Sequence, residues 1–266
     1  MKSSISLAER LRKIDENERS IYLQHEKLEH RFPFHQHKKG QLTYLEGGIA
    51  FLNTRDKAYF LPARHYIWIP AGLEHFVQHR SPSITVRNIY FSSEDDEAHP
   101  FFSKMGIYPV TSLLLEMILF SGSWTGDMMP GSVQFQFLST LKLILPEVSR
   151  HPLPIVLPTT ENERMRPVIR YIYYHLHEEL SLSELADKFG MSSRTLSRLF
   201  QSTMDISFFQ YLKLSRIVRS MQFLLQSDKS ISEIAYETGY NSISAFSNTF
   251  YQLVNMRPSD FQKLRS

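Results

Sequence analysis

Apolar residues come in short runs along the first third of the chain and recur every three or four positions along the last third. Between Ile21 and Phe91 the segments Gln41–Leu45, Ile49–Asn53, Tyr66–Ile69 and Thr85–Phe91 are rich in β-branched and aromatic residues, which suits half-buried strands. Turn formers separate them at Gly47-Gly48, Pro62, Pro70-Ala71-Gly72 and Ser81-Pro82. Many short strands with regular breaks predict a small barrel or sandwich. After the acidic stretch 92–97 the period lengthens, and Val110–Ser121 and Ser132–Val148 read as two apolar-rich helices. Pro152, Pro154 and Pro158 mark a linker, and beyond Glu161 the pattern is helical throughout. In front, Ala8, Leu11 and Ile14 hint at a charged, helical lead-in. The expected architecture is multidomain, β then α. It runs as a lead-in over 1–20, a β-barrel over 21–98, a helical packing and dimerisation region over 99–150, a linker over 151–160 and an all-α domain over 161–266.

The all-α domain contains an internal repeat. Ser181–Gly190 (SLSELADKFG) and Ser230–Gly239 (SISEIAYETG) share serine, glutamate, alanine and glycine positions at an offset of 49 residues. Ser181 with Glu184, and Ser230 with Glu233, fit the capping box that starts a helix. Leu185 and Ile234 face a core, and Ala186 and Ala235 are small where another helix crosses. Gly190 and Gly239 suit the left-handed residue that ends a helix in a sharp turn. A second amphipathic helix follows each glycine, the stretch from Thr195 to Phe200 matching that from Ala245 to Phe250. Helix, glycine turn and helix at this spacing form a helix-turn-helix, present here twice. Ser207–Gln226 can form one helix between the units, roughly 30 Å long at 1.5 Å per residue. That approaches the roughly 34 Å between successive major-groove faces of B-DNA.

Composition narrows the classes. The net charge is only +3, yet Gly190–Arg219 holds five cations (Arg194, Arg198, Lys213, Arg216, Arg219) against one anion, Asp205, a local excess suited to nucleic acid. The sequence has no cysteine, which excludes disulfides and thiolate chemistry. No apolar run approaches the roughly 20 residues of a membrane span, and the polar N-terminus is unlike a signal peptide. A soluble cytoplasmic protein is expected.

Residues 181–266 resemble the AraC/XylS family of bacterial transcription regulators, through ELADKFGMSSRTLSRLF, YLKLSRIVRSMQFLLQSDKSISEIAYETGY and SAFSNTFYQLVNMRPSDFQKLR. The resemblance implies two helix-turn-helix units joined by a long helix, binding promoter DNA and positioning RNA polymerase. By position, Ser193, Arg194, Ser197 and Arg198 form the groove-facing side of the first recognition helix. Asn241, Ile243, Ser244 and Asn248 form that of the second. Arg194 and Arg198, four residues apart, share one face, and either can pair with a guanine edge. The second unit departs from the family pattern: Asn248 replaces an arginine, Tyr251 a lysine and Asn255 a glycine. The first unit is therefore expected to supply most of the affinity.

The segment Phe34-His-Gln-His-Lys-Lys-Gly-Gln41, with Pro70-Ala-Gly-Leu-Glu-His75, resembles the two short motifs of a cupin barrel. On a strand, His35 and His37 project from one face, with His75 opposite. The resemblance offers His35, His37 and His75 to a divalent transition metal such as zinc, iron or nickel, with the neutral Gln41 where many metal cupins carry a glutamate. The same His35, His37, Gln41 and His75 can instead contact a small-molecule effector, with Phe34, Tyr44, Tyr66, Trp68 and Phe76 nearby, or simply pack. Three readings follow: an effector-sensing regulator without enzymatic activity, a metal-dependent cupin enzyme fused to a DNA-binding domain, or a ligand-independent regulator with a vestigial barrel. The resemblance also implies a homodimer through the helices after the barrel.

Overall fold

The structure, a computed structural model, describes residues 6–27, 33–46, 49–55, 57–62, 64–79, 85–149, 152–153, 155–160 and 162–265. The expected turns at Gly47-Gly48 and Ser81-Pro82, and Pro154, lie outside these. The chain divides into one unit of residues 1–50 and 63–153 and a second of residues 51–62 and 154–266. There are two antiparallel sheets in the β-rich part, followed by an all-helical region.

The first unit begins with α1 (Leu7–Asp15), whose N-cap Ser6 accepts from Glu9 N–H. Its six-stranded sheet contains β1 (Ile21–Lys27), β2 (Gly40–Glu46), β5 (His65–Ile69), β7 (Thr85–Phe91), β8 (Gly106–Pro109) and β9 (Gly126–Met128). The order is β8-β5-β2-β7-β1-β9. β8 and β9 come from the region expected to be purely helical. Each is three or four residues long, too short for a periodic signal, and each is recruited as an edge strand. The helices α2 (Ser112–Phe120) and α3 (Val133–Val148), capped by Thr111 and Ser132, match the predicted pair.

Side-chain alternation explains why both faces of this sheet are occupied. From β2, Leu42 and Tyr44 join Tyr66, Trp68, Ile89 and Phe91 in a core closed by Leu114 and Ile118 of α2 and Leu138, Leu141 and Leu145 of α3. Gln41 and Thr43, on the opposite face, line a small cavity with Asn88 and Tyr90. Tyr44, Tyr66 and Trp68 therefore pack under the helices instead of lining the histidine pocket. Phe34 and Phe76 pair edge-to-face with each other at 4.7 Å.

The second sheet contains β3 (Ile49–Asn53), β4 (Lys57–Pro62), β6 (Phe76–His79) and β10 (Val156–Pro158). The part of β3 from Phe51, together with β4 and β10, clusters with the second unit, and β6 with the first. β10 arises within the expected linker: it pairs antiparallel with β4, Val156 opposite Tyr59. The prolines marked a break in helical pattern, but an edge strand tolerates Pro158.

The helices of the second unit are α4 (Met165–Tyr174), α5 (Leu182–Lys188), α6 (Ser193–Met204), α7 (Phe208–Gln226), α8 (Ile231–Glu237), α9 (Ile243–Val254) and α10 (Pro258–Gln262). Five of them start on serine: Ser181, Ser192, Ser207, Ser230 and Ser242 each accept from the N–H three residues on. The capping box is complete at Ser230–Glu233. At Ser181 the glutamate accepts only from the serine hydroxyl, at 2.7 Å. The repeat extends beyond its sequence signature, since Asp205 and Asn255 end α6 and α9 with φ of 53° and 57°. Leu196 and Phe200 of α6, and Phe246 and Phe250 of α9, are fully buried at equivalent positions.

Candidate nucleic-acid interface and ligand pocket

Each helix-turn-helix is held by a buried stripe, and its solvent side is what DNA can meet. In α6, burial of Leu196 and Phe200 turns Arg194, Ser197 and Arg198 outward, all exposed, with Ser193 half-buried at the helix start. In α9, burial of Phe246 and Phe250 leaves Ile243, Ser244 and Asn248 exposed, with Asn241 exposed in the preceding turn. Exposed side chains of both predicted groups thus lie along α6 and α9, with Asn241 just ahead of α9. The first carries two guanidinium groups; the second carries none.

Two cations counted toward the basic excess have structural work instead. Arg216 of α7 donates to the carbonyls of Leu176 at 3.1 Å and Glu178 at 2.8 Å and lies over the Tyr240 ring. It thereby joins the loop after α4 to the turn after α8. Gly239 (φ 82°) completes the contact, because a Cβ there would overlap the Leu176 carbonyl oxygen and come within 2.6 Å of Arg216 Nη2. Gly190, its counterpart, has φ 64° but open space around it. Arg219 donates to Gln222 Oε1 at 2.9 Å and covers Phe223.

One further exposed cation lies beside α9, outside the predicted groups. Arg257 is exposed, and its guanidinium sits 4.9 Å from the ring centroid of exposed Tyr251 on α9. Carrying the 50-residue offset past α9 would have found it: the first unit has Gln201 and Ser207 where the second has Tyr251 and Arg257.

In the first unit, His35, His37 and His75 do come together, though not on a strand. His35 and His75 form an isolated antiparallel bridge with reciprocal backbone hydrogen bonds of 2.9 Å, and His37 follows in a loop. Asp15, at the end of α1, fixes that loop by accepting from Lys38 N–H at 3.0 Å. Ring centroids are 4.6 Å apart for His35–His75, 5.2 Å for His37–His75 and 6.4 Å for His35–His37. Each Nδ1 donates to a backbone carbonyl: His35 to Pro33, His37 to Lys39 and His75 to Leu73. Burial lowers the pKa of all three, and burial together with the neighbouring His37 and His35 pushes His75 down to about 3. They are neutral imidazoles.

His37 Nε2 lies 2.7 Å from the Gln41 side-chain amide. The oxygen Oε1 of that amide faces Nε2, and its nitrogen donates to Thr43 Oγ1 at 2.8 Å. Thr43 and Asn88, both within 3.0 Å of that amide, complete the network. Both nitrogens of His37 are engaged, and among the described residues no three His, Cys, Asp or Glu side chains are arranged to hold a metal ion. His75 Nε2 is buried with no hydrogen-bond partner among the described residues. It borders the small cavity, about 50 Å³, roofed by Leu7, Leu11 and Ile14 of α1. That volume suits a few waters at most, since one water needs roughly 10–15 Å³ of such space.

A larger cavity of about 320 Å³ lies in the same unit, between α3 and the segment after β7. No sequence motif pointed to it, because its walls come from residues far apart in the chain. Among the described residues, no helix is long and apolar enough to cross a membrane.

Comparison with known proteins follows the same division. A family model described as a helix-turn-helix domain matches residues 185–264, and one described as an AraC-like ligand binding domain matches residues 20–99. The HTH-type transcriptional regulator NimR of Escherichia coli is 24% identical over 230 residues, 86% of this chain and 81% of that protein. A transcriptional regulator with an AraC-type DNA-binding domain from Chromobacterium violaceum is 28% identical, covering 39% of this chain and 92% of that one at a TM-score of 0.38. ToxT from Vibrio cholerae is 15% identical, covering 92% of this chain and 98% of that one at a TM-score of 0.39.

Proposed function

We propose that this chain, which matches a helix-turn-helix domain over 185–264 and an AraC-like ligand binding domain over 20–99, is a DNA-binding regulator that reads promoter DNA through two unequal recognition helices. The observation that carries this reading is the contrast between exposed Arg194 and Arg198 on α6 and the uncharged Ser244 and Asn248 on α9. Arg198 or Arg194 pairs with a guanine edge, a contact worth about 1–3 kcal/mol of discrimination. Ser193 and Ser197 flank it, and Asn241, Ile243, Ser244 and Asn248 add weaker contacts, Ile243 against a thymine methyl. Arg257, braced on Tyr251, gives the second unit a phosphate contact at the far end of its recognition helix. α7 spans 19 residues, about 28 Å at 1.5 Å per residue. Placing two helices in successive groove faces roughly 34 Å apart then calls for DNA bending.

A ligand of the first unit changes operator affinity by linkage, through unequal affinity for two states of the protein. The protein acts in the cytoplasm as a homodimer, with exposed Leu113, Phe120 and Val133 of α2 and α3 supplying apolar contact, and works with RNA polymerase. To test the reading, DNA fragments bound by the purified full chain are sequenced and the recovered site is titrated with variants. Arg198→Ala should lose about 1–3 kcal/mol of binding and Asn248→Ala less than about 1 kcal/mol. Equal losses would contradict the proposed asymmetry.

A further inference from the structure

We propose that the cavity beside α3 is a small-molecule site for an uncharged, flat apolar compound bearing one hydrogen-bond acceptor. Size separates it from the histidine pocket: about 320 Å³ against about 50 Å³, and small-molecule sites begin at roughly 300 Å³. Its apolar walls are Ile21, Phe91, Phe102, Phe135, Leu143 and Pro146, three of them aromatic rings able to stack on or edge against a flat guest.

The polar anchor is Lys142. Its side chain is 15% exposed and pairs with Asp96, itself 14% exposed. The ammonium also donates to the Ser92 carbonyl at 2.6 Å and lies 4.9 Å from the Phe102 ring centroid. Asp96 and Ser92 take two of its three N–H bonds, and the third is the donor assigned here to a guest. The pair selects against charge. An anionic guest meets the carboxylates of Asp95 and Asp96, a cationic one meets Lys142, and a neutral acceptor meets a polarised donor without either penalty. Burying such a pair seldom stabilises a fold relative to apolar residues, so its retention on a cavity wall is consistent with recognition. Lys142, Leu143 and Pro146 occupy the last two turns of α3, the helix from which the chain leads to the second unit. A bound guest would fix that helix against the sheet.

The inference rests on the ligand-binding reading of the first unit alone, and its test needs no DNA. Failure here would leave the DNA-binding reading standing. Acetophenone (neutral), benzoate (anion) and benzylamine (cation) are titrated into the full chain carrying labelled isoleucine and leucine methyls, observed by NMR. Saturable acetophenone shifts at Ile21 and Leu143 are expected, with benzoate and benzylamine at least fivefold weaker. Lys142→Met combined with Asp96→Leu, which keeps the wall neutral and packed, should weaken acetophenone about tenfold. Ser139→Phe, which fills the cavity, should abolish the shifts while the remaining methyl spectrum stays folded. Absence of shifts at Ile21 and Leu143, undiminished binding by either variant, or preferred binding of a charged probe would each overturn the proposal.

Discussion

The two repeat glycines, alike in sequence, should differ sharply when replaced by alanine. At Gly190 (φ 64°) an alanine meets no neighbour within 4 Å. Its cost is left-handed backbone strain of about 1–2 kcal/mol, offset by about 0.4–1 kcal/mol from the stiffer unfolded chain. A net loss of about 1 kcal/mol results. At Gly239 (φ 82°) the same strain applies, and the methyl overlaps the Leu176 carbonyl oxygen and crowds Arg216. Overpacking adds about 1–3 kcal/mol. If the guanidinium is displaced, its hydrogen bonds to Leu176 and Glu178 weaken as well, each worth about 1.5–3 kcal/mol. Partial relaxation leaves a total of about 3–5 kcal/mol. Urea unfolding followed by far-UV circular dichroism reads the helical unit. Trp68 and Trp124 both lie in the first unit, so tryptophan fluorescence serves as an internal control and should move little. Equal losses at the two glycines, or a larger loss at Gly190, would refute the reasoning that Gly239 is a packing point between the helix-turn-helix units.

Other outcomes follow from the same geometry. Arg257→Ala should weaken DNA binding about equally on all sequences and reduce the slope of log affinity against log salt by about one, whereas Arg198→Ala should also relax sequence preference; an unchanged slope counts against Arg257 as a phosphate contact. Folded His75 is held at about 3 while an unfolded imidazole titrates near 6.5. Between these values the unfolded chain binds the extra proton, so stability falls as pH falls, by up to about 1.4 kcal/mol per pH unit. Above about pH 6.5 His75 adds no slope. Trp fluorescence during denaturation at pH 5 and pH 7 should show this loss in the wild type and a smaller one in His75→Gln.

Much of the second unit was legible because local chemistry repeats there. Serine caps, paired glycines and alternating buried positions each constrain only a few residues, and they agreed across two copies. Arg216 misled because charge along a sequence does not reveal whether a guanidinium faces solvent or two carbonyls. Among the strands, β-branched and aromatic richness found β2, β3, β5 and β7, but not β8, β9 or β10, which are short and owe their pairing to distant neighbours. The histidines were found by motif, yet their use depends on which atoms face Pro33, Lys39 and Leu73, and spacing cannot supply that. Tyr44, Tyr66 and Trp68 went to the helix-covered face for a reason visible only once α2 and α3 were in place. The larger cavity joins Ile21 to Pro146 and has no local signature at all.

The most direct test of the account is a hydroxyl-radical and methylation-protection footprint of the full chain on its recovered DNA site. Two protected major-groove segments about one helical turn apart are expected. Protection of a guanine in one segment should vanish with Arg194→Ala or Arg198→Ala, while the other segment persists at higher protein concentration. A single protected segment, or a pattern indifferent to both arginines, would contradict it.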